Sequence, residues 1–247
     1  MFGWRGQVLA VLAGLALGSY AVTAAIRFVR LEPSSSGRSR CDGCGTSLSF
    51  AQTVPLLSYF RLKGACSACG GRIDRLHLIG EFGGAVVLST ALLLHDPLRM
   101  ALAGLLGLTL LVSAVIDLKT QRLPDRLTAV IAVLAAGLAY EAAPWRLAIG
   151  AGLGLALALA LQAVRVLRAR AGRDPGVGLG DLKLIAAVSL WLGAAAPWML
   201  ALAAGLGLVA AAIVRPQNRR LAFGPAIAVA TWIVGVSVEL GPWPPAI

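Results

Sequence analysis

Four cysteines and two aspartates carry the chemistry that this sequence can do. Cys41-Asp42-Gly43-Cys44-Gly45 and Cys66-Ser67-Ala68-Cys69-Gly70 are two Cys-x-x-Cys-Gly knuckles, with 21 residues between Cys44 and Cys66. Each pair supplies two sulfurs from a tight turn, and the glycine after each second cysteine permits a positive φ, so the set suits one tetrahedral zinc ion. Two disulfides or a redox Cys-x-x-Cys are the competing readings. A reducing compartment disfavours the first, and a redox motif needs no twin. Four sulfurs leave no open position on the metal, which makes its expected role structural. Asp117 and Asp181 lie 64 residues apart, in Val115-Ile116-Asp117-Leu118-Lys119 and Gly178-Leu179-Gly180-Asp181-Leu182-Lys183. Brought together at a partly desolvated place, two carboxylates cannot both ionise easily. One keeps a proton while the other acts as general base on a water, as in aspartic proteolysis. Gly178 and Gly180 would let the backbone turn tightly, or let an extended peptide approach Asp181. The bland alternative is that Asp181 caps a helix and Asp117 pairs with Lys119 or Arg122.

The elements that must position these groups are membrane helices. The chain has 247 residues, of which 58% are hydrophobic and 13% charged, and its mean hydropathy is +0.82. Soluble domains carry about a quarter charged residues. A helix needs about 20 apolar residues to cross a bilayer. Val8–Ile26, Leu78–Leu94, Met100–Ile116, Leu127–Pro144, Leu147–Val164 and Leu221–Val238 each read as one span. Leu184–Val214 is too long for one ordinary crossing, and Gly193 and Pro197 near its middle predict a break into two, the first starting at about Gly180. The expected fold is therefore an all-α polytopic membrane protein of about eight transmembrane helices. Its parts are helix 1 within residues 1–26, a cytoplasmic four-cysteine zinc loop over 27–77, and a seven-helix membrane domain over 78–247 carrying the aspartate pair.

The formal net charge of +11 raises the question of where the cations sit. No soluble stretch is long enough for a basic nucleic-acid-binding domain. Under the eight-span parity, nineteen of the twenty-two Lys and Arg fall on alternate connections, including Arg215, Arg219 and Arg220, and only Arg5, Arg99 and Arg146 on the other side. Cytoplasmic loops carry this excess, so the cysteine loop, Asp117 and Asp181 are expected at the cytoplasmic face. Met1–Ala25 also resembles a cleavable signal peptide, but Arg27, Arg30, Arg38 and Arg40 directly after it oppose translocation of the adjoining loop. Among the other acids, Glu81 stands out four residues into the second span, where a carboxylate is expensive. It either pairs with Arg75 or Arg72 or supports a site. Glu141 and Glu239, near outer span ends, are expected to reach water.

Asp117-Leu118-Lys119-Thr120-Gln121-Arg122-Leu123-Pro124-Asp125 resembles the first catalytic motif of the prepilin peptidases, the type IV leader peptidases. Gly178-Leu179-Gly180-Asp181 is similar to their GxGD signature. Gly18-Ser19, the paired knuckles with Pro55-Leu56-Leu57-Ser58-Tyr59 between them, Gly80-Glu81 and Phe223-Gly224-Pro225 extend the match along nearly the whole chain. Val177 and Leu182 depart from the commoner Met and Val beside the second motif, without touching the aspartates. The resemblance implies a GxGD aspartic endopeptidase of the bacterial inner membrane, with Asp117 and Asp181 catalytic and Gly178, Gly180, Glu81 and Lys183 supporting. It would remove the basic leader of type IV prepilins or type II secretion pseudopilins after a glycine. Many members also methylate the new N-terminus with S-adenosylmethionine, although no glycine-rich nucleotide loop after a strand supports this independently. The rival readings are a small proton-coupled transporter, which would not need the zinc loop, and a scaffold that uses the loop to bind a partner.

Overall fold

The computed structural model describes residues 3–33, 38–214 and 221–241, so the cations Arg215, Arg219 and Arg220 lie outside the described residues. Nine α-helices and no named strand occur among the described residues. They are α1 (Trp4–Val29), the short α2 (Leu57–Arg61), α3 (Arg75–Ala91), α4 (Pro97–Thr120) and α5 (Asp125–Ala142), then α6 (Pro144–Arg170), α7 (Leu179–Leu192), α8 (Ala196–Val214) and α9 (Gly224–Leu240). Leaving out α2, these are the eight expected membrane helices. Five stretches are long and apolar enough to cross a bilayer by themselves, with α7 and α8 counted as one run. The 17-residue α9 is shorter, and α5 holds Asp125, Arg126 and Glu141 at its ends.

Local chemistry sets the boundaries. Asp74 accepts a hydrogen bond from the Leu76 N–H at 3.0 Å and starts α3, and Asp96 does the same for α4 through the Arg99 N–H at 2.8 Å. Proline opens α4, α6 and α9, where its missing N–H costs nothing. Pro144 therefore begins α6 rather than ending the preceding span. Gly193 breaks the long apolar run at φ +56°, ψ −127°, a conformation closed to other residues, and a single 3-10 turn leads into α8.

Small residues bring the helices together. Gly14 and Gly18 on α1 face Gly84 and Gly80 on α3, a small-xxx-small seam on both partners, and a methyl group at any of the four would strike the facing helix. Gly150 and Gly154 on α6 make the same approach to Ala186, Ser189 and Leu190 on α7. The largest core cluster gathers Leu106, Ile131, Ile185, Trp191, Met199 and Ile227 from five helices. A smaller one joins Val22, Ala25 and Ile26 of α1 to Val115 and Ile116 of α4.

The two ends of the bundle differ in charge. At one end, Arg99 of α4 and Arg146 of α6 converge on Glu239 of α9, whose side chain is buried, with Arg146 Nη2 3.3 Å from Oε1. The Trp191 indole N–H donates to the same oxygen at 3.0 Å. Glu239 therefore does not reach water as expected, because its helix end is enclosed by two guanidiniums and an indole. The other end carries Arg27, Arg30, Arg75, Lys119 and Lys183, together with Asp117 and Asp181. These described cations share the end that holds the two aspartates, with Arg99 and Arg146 at the other. Replacing Gly84 by Val should force α1 and α3 apart and destabilise the bundle by roughly 1–3 kcal/mol or more, the range for overpacked interiors. Thermal unfolding in detergent would register this as a lowered midpoint, whereas Gly152→Ala, facing open space, should leave it unchanged.

Candidate active site

Asp117 lies three residues before the end of α4 and is only 4% exposed. Lys119 and Arg122 do not neutralise it. Lys119 reaches instead to Asp74 at 2.6 Å, tying the end of α4 to the start of α3. The partner of Asp117 is the backbone of α9: the Gly224 N–H donates to Oδ2 at 2.8 Å. That N–H belongs to the first turn of a 17-residue helix, where amides lack partners within the helix and the dipole favours negative charge. Only glycine fits, since a Cβ at 224 would stand 2.8 Å from Oδ2 and 3.1 Å from Cγ of Asp117.

Asp181 is the third residue of α7 and half-buried. Its Oδ2 accepts the Gly178 N–H at 3.1 Å, so it does cap its own helix, as the bland alternative held. The start of α7 that carries it lies against the turn that follows Asp117, which brings both carboxylates to the same end of the bundle. The juxtaposition comes from α5 and α9, which pack against both α4 and α7. Gly180 lets the start of α7 press on Leu123 in the turn after Asp117, where a Cβ would sit 3.1 Å from that of Leu123. Lys183 points to Asp125 at 2.7 Å rather than to either aspartate, bracing α7 against α5.

Glu81 pairs with neither Arg75 nor Arg72. Buried to 6% exposure, it accepts from the Ser19 hydroxyl of α1 at 2.9 Å and from the Leu56 N–H of the long loop at 2.7 Å. Leu56 has φ +59°, ψ −54°, and the Leu57 N–H reaches the Pro55 carbonyl at 2.6 Å, a γ-turn that is costly for a branched residue. Glu81 therefore fastens the cysteine loop to the α1–α3 pair. Between loop and helices lies a cavity of about 500 Å³, whose wall includes Arg30, Asp42, Tyr59, His77 and Glu81. Arg30 meets Asp42 at 2.8 Å, and His77 with Arg30 holds the Asp42 carboxyl below its usual range.

The four cysteines converge, with all four Sγ atoms within 4.8 Å of one another and those of Cys41 and Cys69 3.9 Å apart. A tetrahedral ion with 2.3 Å zinc–sulfur bonds needs sulfurs about 3.8 Å apart, so the donor set fits a metal. No disulfide links them. The knuckles have matching folds. Gly45 N–H donates to the Cys41 carbonyl and Gly70 N–H to that of Cys66, each at 2.9 Å, with φ +72° and +68° at the two glycines. The Thr46 hydroxyl and N–H beside Cys44 draw its thiol down to about 6, while against the Gly71 N–H the neighbouring thiols and burial push that of Cys69 up to about 11.

Residues 12–95 match the bacterial peptidase A24 N-terminal domain, and residues 104–214 match the type IV leader peptidase family. The prepilin leader peptidase/N-methyltransferase of Dichelobacter nodosus is 36% identical over 216 residues, 84% of this chain and 72% of the relative. The chain belongs to the type IV leader peptidase family. The corresponding enzyme of Neisseria gonorrhoeae is 33% identical over 203 residues, covering 78% of this chain and 69% of its own. A type 4 prepilin-like proteins leader peptide-processing enzyme of Escherichia coli is 29% identical over 197 residues, 78% of this chain and 72% of the relative. No solved structure matches. This family member is a multi-pass membrane leader peptidase, and both aspartates fall inside the stretch matched as its peptidase. Gly224 falls outside it, and only its tertiary contact reveals what it does. Gly224→Ala should leave α9 inserted yet push its first turn off Asp117, cutting turnover by about 10- to 100-fold, as expected for a lost hydrogen bond to a charged group. Cleavage kinetics beside an unfolding curve would separate the two effects.

Proposed function

We propose that Asp117 and Asp181 form the catalytic pair of an aspartic endopeptidase of the GxGD type, cutting the basic leader from type IV prepilins or type II secretion pseudopilins. What supports this is that two carboxylates from distant segments come to the same end of the bundle, where the start of α7 packs on the turn that follows Asp117. The cation-rich end is taken as the cytoplasmic face of a bacterial inner membrane, by the positive-inside rule. A substrate helix lying in the bilayer would then present the bond after its basic leader at the level of both aspartates.

In the proposed reaction one carboxylate takes a proton from a bound water as its oxygen attacks the scissile carbonyl. The protonated partner stabilises the developing oxyanion and gives its proton to the leaving amine nitrogen as the C–N bond breaks, so that the pair again holds one proton. Which aspartate starts protonated belongs to the pair, not to either residue. Gly178 and Gly180 support the pair by position: Gly180 lets α7 close on Leu123, and the Gly178 N–H orients Asp181. Lys183 and Glu81 act at one remove, by bracing α7 and by holding the cysteine loop.

The loop over residues 27–77 is read as a zinc module held by Cys41, Cys44, Cys66 and Cys69, with the metal structural. N-methylation of the new N-terminus is the proposed second activity, in keeping with the relatives' names. S-adenosylmethionine would supply an electrophilic methyl group. The cavity beside Glu81, with Arg30 and Asp42 on its wall, fits a ligand bearing both signs of charge. Asp117→Asn and Asp181→Asn should each reduce cleavage of a prepilin-like peptide in proteoliposomes by at least about 100-fold without affecting insertion. Wild-type cleavage by either variant would remove the dyad, and normal pilus assembly with both replaced would favour a scaffold. Purified protein should carry about one zinc by elemental analysis, lost together with loop structure in Cys41→Ser plus Cys44→Ser.

A further inference from the structure

The long loop between α1 and α3 is polar in composition, and the natural reading places all of it in water. Its anchor contradicts that. Leu56 is tied to Glu81 and, through it, to Ser19. Glu81 stands six residues after Arg75 on α3, about 9 Å along the axis, and Ser19 eight residues before Arg27 on α1, about 12 Å at 1.5 Å per residue. The polar headgroup layer on each side of a ~30 Å core is about 5–7 Å thick. Taking Arg27 and Arg75 to sit at the phosphates puts Glu81 and Ser19 below that layer, and the Pro55–Leu56 turn that Glu81 holds at its inner edge, against the acyl chains.

From these positions we infer that residues 50–61 form a re-entrant element whose apolar side chains insert into the lipid leaflet at the cation-rich face. Three features fit this partner. Phe50, Leu57 and Phe60 are exposed by 84%, 64% and 67%, an expensive display in water, and they surround the deep turn. Backbone at such depth must satisfy its polar groups within the protein. Four amides around the turn do so: the Leu56 N–H goes to Glu81, that of Leu57 to Pro55 O, that of Ser58 to Val54 O at 3.0 Å and that of Phe60 to Leu56 O at 3.1 Å, while Pro55 has none to satisfy. Arg61 and Lys63 follow at the end of α2, cations of the kind that pair with lipid phosphates. The buried Glu81 is thus the internal acceptor that lets a non-helical turn exist in the leaflet. The aspartate pair plays no part in this insertion.

The test uses the full chain in vesicles of phosphatidylethanolamine and phosphatidylglycerol, with the photoreactive residue p-benzoylphenylalanine at one position at a time. Leu57 and Phe60 positions should form phospholipid adducts, read by mass spectrometry, in yields within about 3-fold of a Leu12 position on the exposed face of α1. A Ser47 position on the first knuckle should give at least about 10-fold less. Lipid adducts at Leu12 but not at Leu57 or Phe60 would overturn the inference. So would adducts formed there with a second copy of the chain or with added prepilin-like peptide in place of lipid. Unfolding midpoints of the labelled proteins would exclude a collapsed loop as the source of either result.

Discussion

Inside a bilayer no water is at hand, and an acid or an N–H must find its partner in the protein. Four acids of the membrane helices are withdrawn from solvent, and each has one. Asp117 is met by the Gly224 N–H, Asp181 by the Gly178 N–H, Glu81 by the Ser19 hydroxyl and the Leu56 N–H, and Glu239 by two arginines and an indole. Three of the four thus rely on backbone donors, which do not swing away as a lysine can. Glu239, at the far end, is the one matched to full opposite charge. Breaking such a buried pair costs several kcal/mol, whereas an amide-held carboxylate keeps capacity for a water or a substrate.

Backbone donors reach buried carboxylates only if helices come close, and here that closeness comes from missing side chains. Gly224 admits Asp117, Gly180 admits Leu123, and the paired glycines of α1 and α3 bring Ser19 up to Glu81. The small residues that drive helix association in lipid are therefore the same ones that set the polar geometry. Packing and chemistry share one determinant at the active end.

Features encoded by neighbouring residues were legible in the sequence. The Gly193 break follows from the length of an apolar run, the metal knuckles from two identical spacings, and the common end for Asp117 and Asp181 from counting cations. Features made by distant residues were not. Nothing near Asp117 announces a donor 107 residues away. Glu81 offered Arg75 and Arg72 as obvious partners, and the backbone of a loop won because burial puts guanidiniums out of reach. Glu239 looked solvated because its helix ends nearby, yet Arg99 and Arg146, the very cations that seemed to oppose the charge bias, enclose it. The family likeness pointed to Glu81 and Gly224 without saying what either touches.

Among the described helices, α9 is the last that a ribosome would deliver. The contacts among α1, the loop and α3 can form once about residue 91 has emerged, and the Asp181-bearing helix precedes α9. Asp117 waits longest, because the N–H that holds it arrives with Gly224. Until that helix inserts, the carboxylate has no fixed orientation for its oxygens. The order of synthesis therefore sets an order of assembly: a nascent chain can pair α1 with α3 and close its cysteine loop early, but Asp117 gains its donor only when α9 follows.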